Sequence, residues 1–121
     1  MTLELGALTF DATDPATLAA FWSSLLGREW RFGRVLPDVA VIDGADGWPA
    51  LLFLPVPEAK TAKNRCHPDL HARSLDVEVA RALALGAHEV ERHRHPTEWV
   101  VLTDPEGNEF CIVHDPSLDA T

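Results

Sequence analysis

Asp14-Pro15-Ala16-Thr17-Leu18-Ala19-Ala20-Phe21-Trp22-Ser23-Ser24-Leu25-Leu26-Gly27 is the stretch on which the fold turns. Asp14 is an N-cap residue, because its carboxylate can accept from the orphan N–H groups of a first helical turn. Pro15 follows at the position where a helix needs no N–H donor. Leu18, Phe21, Trp22 and Leu25 recur at i, i+3, i+4 and i+7, which lays one apolar stripe along a helix. Gly27 stands where a left-handed C-terminal residue belongs. The spacing predicts a helix between Asp14 and Gly27 that covers a core with one face.

Working outward, Leu3–Phe10 runs apolar or alternating and reads as a strand ahead of that helix. Three short strand candidates follow it, at Glu29–Phe32, Val39–Ile42 and Ala50–Val56, separated by turn formers. After a polar connector the pattern restarts. Arg65–Ala72 reads as a strand. Ser74 is an N-cap candidate, and Leu75, Val79, Ala82 and Leu83 make a stripe that ends at Gly86. His88–His93, Trp99–Thr103 and Glu109–His114 read as three more strands. Asp104-Pro105-Glu106-Gly107-Asn108 joins the last two as a type I turn.

The order strand, helix, three strands therefore occurs twice, which makes the fold class α+β with two tandem βαβββ units. Unit one spans about 3–58 and unit two about 65–115. Placing Gly27 on Gly86 carries Leu18 to Val77 and Leu25 to Ala84, so the repeat lies in the order of elements rather than in the letters. Each unit has a single helix to cover a sheet, so one shared domain over 1–121 is expected.

The composition is that of a globular chain, with 46% hydrophobic and 24% charged residues. Ten Lys and Arg against 19 Asp and Glu give a net charge of −9. That argues against nucleic acid, which is held chiefly by cations on phosphate, and against an anionic membrane surface. Solubility is the simpler reading of the acidity than a cationic ligand. No charged start followed by an apolar run marks a signal peptide, and no apolar run nears the roughly 20 residues of a membrane helix. Two cysteines are too few for a disulfide framework, and a cytoplasmic location is the default expectation.

Three runs resemble the glyoxalase-like, or vicinal oxygen chelate, superfamily that includes glyoxalases, bleomycin-resistance proteins and dioxygenases. Asp14-Pro15, Leu18, Ala20-Phe21-Trp22 and Leu25-Leu26-Gly27 look like its first-helix signature. Cys66–Leu70 with Leu75–Val79 and Leu83–Ala87 looks like its second strand–helix pair. Asp104–Phe110 looks like its closing hairpin. The resemblance implies a curved mixed-sheet cup with helices on the outer face. It does not imply one activity, since the superfamily includes lyases, dioxygenases, epimerases, thiol transferases and metal-free drug binders.

The resemblance also implies where a divalent metal would be held: on the first and last strand of each unit. Those positions fall at Ala7, near Phe53, at His67 and at Cys111. Only His67 is a well-matched ligand, so no metal or other cofactor is expected. A divalent ion would meet an incomplete set.

Read for themselves, His67, Asp69 and His71 alternate with Pro68, Leu70 and Ala72, and so share one strand face. A carboxylate between two imidazoles is a general-base arrangement with His67 and Asp69 as catalytic candidates. The plainer reading has His71 at a strand end in solvent and Asp69 paired with an arginine. Cys111 shares a face with Glu109. It reads as a nucleophile or, more commonly, as a small buried residue. By alternation Cys66 points the other way, so no disulfide is expected. Trp30, Trp48 and Trp99 are candidate aromatic walls for a flat ligand, although packing accounts for them as well. His71, Trp48, Phe53, Trp99, Glu109 and Cys111 make up the ligand-binding candidates.

Two functions follow from these residues and the resemblance. One is a lyase- or isomerase-type enzyme on a small organic carbonyl or carboxylate compound. The other is a metal-free small-molecule (drug) sequestration protein of the bleomycin-resistance type. A homodimer is expected because pairing protects sheet edges.

Overall fold

The computed structural model describes residues 2–119, so the expected domain range of 1–121 runs past the described residues at both ends. The chain divides into two compact units, Met1–Ala59 and Lys60–Thr121. Each holds a strand, a helix and three strands, as the repeated pattern predicts.

Unit 1 comprises β1 (Ala7–Ala12), α1 (Pro15–Leu26), β2 (Trp30–Phe32), β3 (Ala40–Ile42) and β4 (Ala50–Pro55). Its mixed sheet has the order β1-β4-β3-β2, with β1 parallel to β4 and the other pairs antiparallel. α1 is capped as its letters dictate. The Asp14 carboxylate accepts from the Thr17 backbone N–H at 3.2 Å and from the Thr17 hydroxyl at 2.7 Å, and Gly27 takes φ 69°. Leu18, Phe21, Trp22 and Leu25 are all buried.

Unit 2 comprises β5 (Asp69–Ala72), α2 (Leu75–Leu85), β6 (His88–His93), β7 (Trp99–Thr103), β8 (Glu109–His114) and a 3-10 turn, Pro116–Asp119. The order is β5-β8-β7-β6, again with the outer pair β5–β8 parallel. The β7–β8 turn closes on Asp104, which is 1% exposed. Its carbonyl accepts from Gly107 N–H at 2.9 Å. Its carboxylate accepts from the Glu106 and Asn108 N–H groups, both at 3.0 Å, and from the Asn108 amide. Burying this carboxylate is tolerable because its lone pairs are used.

Four expectations need correction. The first strand begins at Ala7 rather than Leu3, because β4 starts at Ala50 and the ladder has no earlier partner; Leu3 and Leu5 stand exposed. The fifth strand begins at Asp69 rather than Arg65. Pro68 has no N–H to give and contributes only its carbonyl, to Cys111 N–H at 2.9 Å. Leu83 is 41% exposed, so the buried stripe of α2 is Leu75, Val79 and Ala82. Ser74 caps α2 without a side-chain hydrogen bond.

Register sorts each sheet into two faces, since paired residues share a side. In unit 1, Phe53 pairs with Phe10 and with Ala40, and these lie under α1; Phe10 stacks on Phe53 at 5.5 Å and meets Trp22 at 5.7 Å. In unit 2, Val100, Leu102, Phe110 and Ile112 are buried on the α2 side. The opposite face of that sheet carries Asp69, His71, Glu91, His93, Trp99, Val101, Glu109, Cys111 and Val113.

Candidate functional site

On that face, β5 and β8 run side by side with Asp69 directly across from Cys111. His67 precedes β5, and its Nδ1 comes to 3.4 Å from the Asp69 Oδ1. Donor atoms of His67, Asp69 and Cys111 all lie within 4.8 Å of one another. The His67 and Asp69 side chains are about half exposed, whereas Cys111 is buried.

The electrostatics assign different roles to the three groups. Burial, the charge of Asp69, a hydrogen bond to Asp69 and the charge of Glu91 together push the Cys111 thiol up to about 11. It is a neutral thiol at physiological pH and donates to the Asp69 carboxylate, which leaves it a poor nucleophile. Asp69 thus sits between a thiol and an imidazole. With Nδ1 turned to a carboxylate, the favoured neutral tautomer carries its proton there, and Nε2 keeps the basic lone pair.

Glu109 is nearly buried at the start of β8. Its Oε1 accepts from Asn64 N–H at 2.8 Å and its Oε2 meets Lys60 Nζ at 3.1 Å. Burial alone would raise its carboxyl. The Asn64 N–H and the Lys60 ammonium outweigh that and hold it below the ordinary glutamate value. Glu109 therefore anchors the connector between β4 and β5.

His71 does not join His67 and Asp69. Its Nδ1 lies 2.9 Å from Asp115 Oδ2, and Asp115 also accepts from the Ser117 hydroxyl at 2.6 Å. The expected imidazole–carboxylate–imidazole row is therefore two separate pairs, because Asp115, just after β8, donates its N–H to the Ala72 carbonyl at 2.9 Å and comes alongside His71. Trp99 is on the site face, where the His93 ring stacks on it at 4.3 Å and 12°. His93 Nε2 also meets Glu91 Oε1 at 3.1 Å.

Phe53 is fully buried beneath α1 and is not on an open face, which overturns its expected ligand contact. One residue of parity separates the two outcomes: Leu52 and Leu54 point away from the helix instead. Trp30 also lies on the helix side, edge-on to Phe32 at 5.1 Å. Trp48 stands in the β3–β4 loop, 51% exposed, with the Arg28 guanidinium 5.4 Å from its ring centre.

The residues do not make the ligand set of a hard divalent ion. In unit 2 the possible ligand group is His67, Asp69 and Cys111, whose third donor is a soft thiol where a hard ion takes oxygen. In unit 1 the helix-averted positions of β1 and β4 are Ala7, Thr9, Asp11, Ala50, Leu52 and Leu54, and only Asp11 offers a carboxylate. Sequence reasoning missed Lys60, Asn64, Glu91 and Asp115, whose parts depend on pairings 20 to 49 residues apart that only the register reveals.

The glyoxalase-like domain family matches residues 7–113. No curated protein sequence matches the chain. Among solved structures, a glyoxalase/bleomycin resistance protein/dioxygenase family enzyme from Burkholderia phytofirmans PsJN superposes with TM-score 0.76 at 20% identity, covering 93% of this chain and 98% of that one. A fosfomycin resistance protein from Listeria monocytogenes gives 0.75 at 14%, with 95% of both chains covered. A lactoylglutathione lyase from Agrobacterium tumefaciens gives 0.63 at 18%, covering 94% and 95%. At these identities the likeness is one of fold.

Proposed function

The chain belongs to the glyoxalase-like domain family, and on that premise we propose that it is a lyase- or isomerase-type enzyme that moves a proton on a small organic carbonyl or carboxylate compound. The observation that carries this is the His67 Nδ1–Asp69 Oδ1 approach of 3.4 Å, on a solvent-reachable sheet face beside a neutral thiol. His67 Nε2 takes a proton from the carbon next to the carbonyl. The Asp69 carboxylate steadies the imidazolium that results, and the same nitrogen returns the proton to a neighbouring atom. Cys111 contributes a small uncharged floor. The lyase and fosfomycin-resistance neighbours act within the same fold, which supports small-molecule chemistry without fixing it.

The test is C–H exchange in D₂O across a panel of α-keto acids and α-hydroxy aldehydes, followed by NMR. At least one compound is expected to exchange, with the rate falling roughly 10²-fold in His67→Ala, the scale of a lost general base. No exchange across the panel, or an unaltered rate in His67→Ala, overturns the reading.

A second reading, sequestration of a flat organic molecule, is favoured by the His93–Trp99 stack on the same face. There Trp99→Ala abolishes binding and His67→Ala spares it. We propose further that the two units form one domain and that the chain pairs as a homodimer. Support for pairing is the edge strands β1, β2, β5 and β6; a light-scattering mass near 13.3 kDa would count against it. A cytoplasmic location is proposed from the two free thiols. Among the described residues no helix is long and apolar enough to cross a membrane.

A further inference from the structure

We propose that unit 1 carries its own anion site, in which Arg28, Arg31, Arg34 and Trp48 hold the carboxylate of a small planar organic molecule. This goes beyond the reading of His67 and does not rest on it.

Arg28, Arg31 and Arg34 are the only Lys or Arg residues before Lys60. All three converge on one acidic residue. Arg31 Nη2 meets Asp43 Oδ2 at 3.0 Å, Arg34 Nη1 meets Asp43 Oδ1, and Arg28 Nη2 donates to the Asp43 carbonyl. Two guanidiniums therefore share the Asp43 carboxylate while the third takes its backbone carbonyl, and the cluster keeps excess positive charge on a chain whose net charge is −9. Arg31 and Asp43 flank the β2–β3 pairing on the face turned away from α1, since Arg31 is registered with Val41.

The donors are not used up. Arg31 and Arg34 each spend one nitrogen on Asp43, and their side chains are 59% and 53% exposed. The rest of each planar fork remains for a second acceptor, and a carboxylate matches it. Arg28 Nη1 is buried and has no hydrogen-bond partner, alone in this among the described residues. A buried guanidinium N–H without an acceptor is costly, and the open donors that meet an anion are those of Arg31 and Arg34. Arg28 also lies over the Trp48 ring, which is 51% exposed and offers its remaining surface to a flat group. Charge, fork geometry and indole together select a planar carboxylate. Because the whole chain repels anions, contact rather than long-range steering must provide the affinity, and salt should weaken it.

The probes are benzoate and its neutral analogue benzamide, titrated into the full chain while the Trp48 indole N–H is followed by NMR, assigned by its loss in Trp48→Phe. Benzoate should shift that signal saturably and benzamide should not. The double variant Arg31→Gln/Arg34→Gln should weaken benzoate at least tenfold. Asp43→Asn, which removes the internal competitor, should tighten it. His67→Ala should leave it unchanged. No saturable shift at millimolar benzoate, equal binding of benzamide, or equal affinity in the double variant would overturn the site. Both arginine side chains are more than half exposed, so their replacement leaves the core intact.

Discussion

The parallel pair β1–β4 in unit 1 and the parallel pair β5–β8 in unit 2 share one connectivity and carry opposite chemistry. Facing away from its helix, the first pair presents mainly Ala7, Thr9, Leu52 and Leu54. The second presents Asp69, His71, Glu109, Cys111 and Val113, with His67 just ahead. On the helix side both are alike, with Phe53 buried in one and Phe110 in the other. The lesson is that the helix-facing set specifies the architecture. The averted set is left unconstrained by packing, so one unit can gather imidazoles, carboxylates and a thiol where its counterpart has Asp11 alone among small and apolar side chains.

The strongest way to break that comparison is at its shared half. Phe53→Ala and Phe110→Ala should each destabilise by about 3–5 kcal/mol in denaturant titration, the range for deleting a buried phenyl ring. A loss below about 1 kcal/mol at either residue would mean that the helix side is not the core. Next comes the half that differs. His67→Ala should reduce turnover roughly 10²-fold, whereas Thr9→Ala, on the averted face of unit 1, should leave it unchanged.

A smaller effect concerns Glu109. Its folded carboxyl titrates below the unfolded value near 4.5, so its contribution is fully present above that value and is lost as pH falls through the lower folded one. Glu109→Gln should therefore cost about 1 kcal/mol at neutral pH, and the gap to the parent should close in acid. The smallest effect sharpens the contrast between the caps. Asp14→Ala should lower thermal stability because the Thr17 N–H and hydroxyl lose their acceptor, while Ser74→Ala should change little because its hydroxyl caps nothing. The Asp14 carboxyl is held low by Thr17, so its contribution too fades only in acid.

Much of this was legible from local chemistry. Asp14, Pro15 and Gly27 state where α1 begins and ends without reference to anything distant, and Asp104 through Asn108 do the same for the last turn. Strand starts were less legible, because the ladder partner and not the strand's own letters decides where pairing begins, as at Leu3 and Arg65. Phe53 shows the sharpest limit. A one-residue shift in register moves a side chain from one face to the other, and only the Phe10–Phe53–Trp22 stack fixes which face it takes. His67 and Asp69 were found as neighbours in sequence, and Cys111 through the resemblance. That His71 stands apart from them was not legible, because Asp115, its partner, lies 44 residues away.

The unlike surroundings of the two cysteines have a practical consequence. Cys111 is buried with its proton held up to about 11, while Cys66 is exposed. A maleimide dye at neutral pH should therefore attach once per chain, at Cys66. That would place a fluorescent reporter one residue from His67, ready to register whatever comes to rest there.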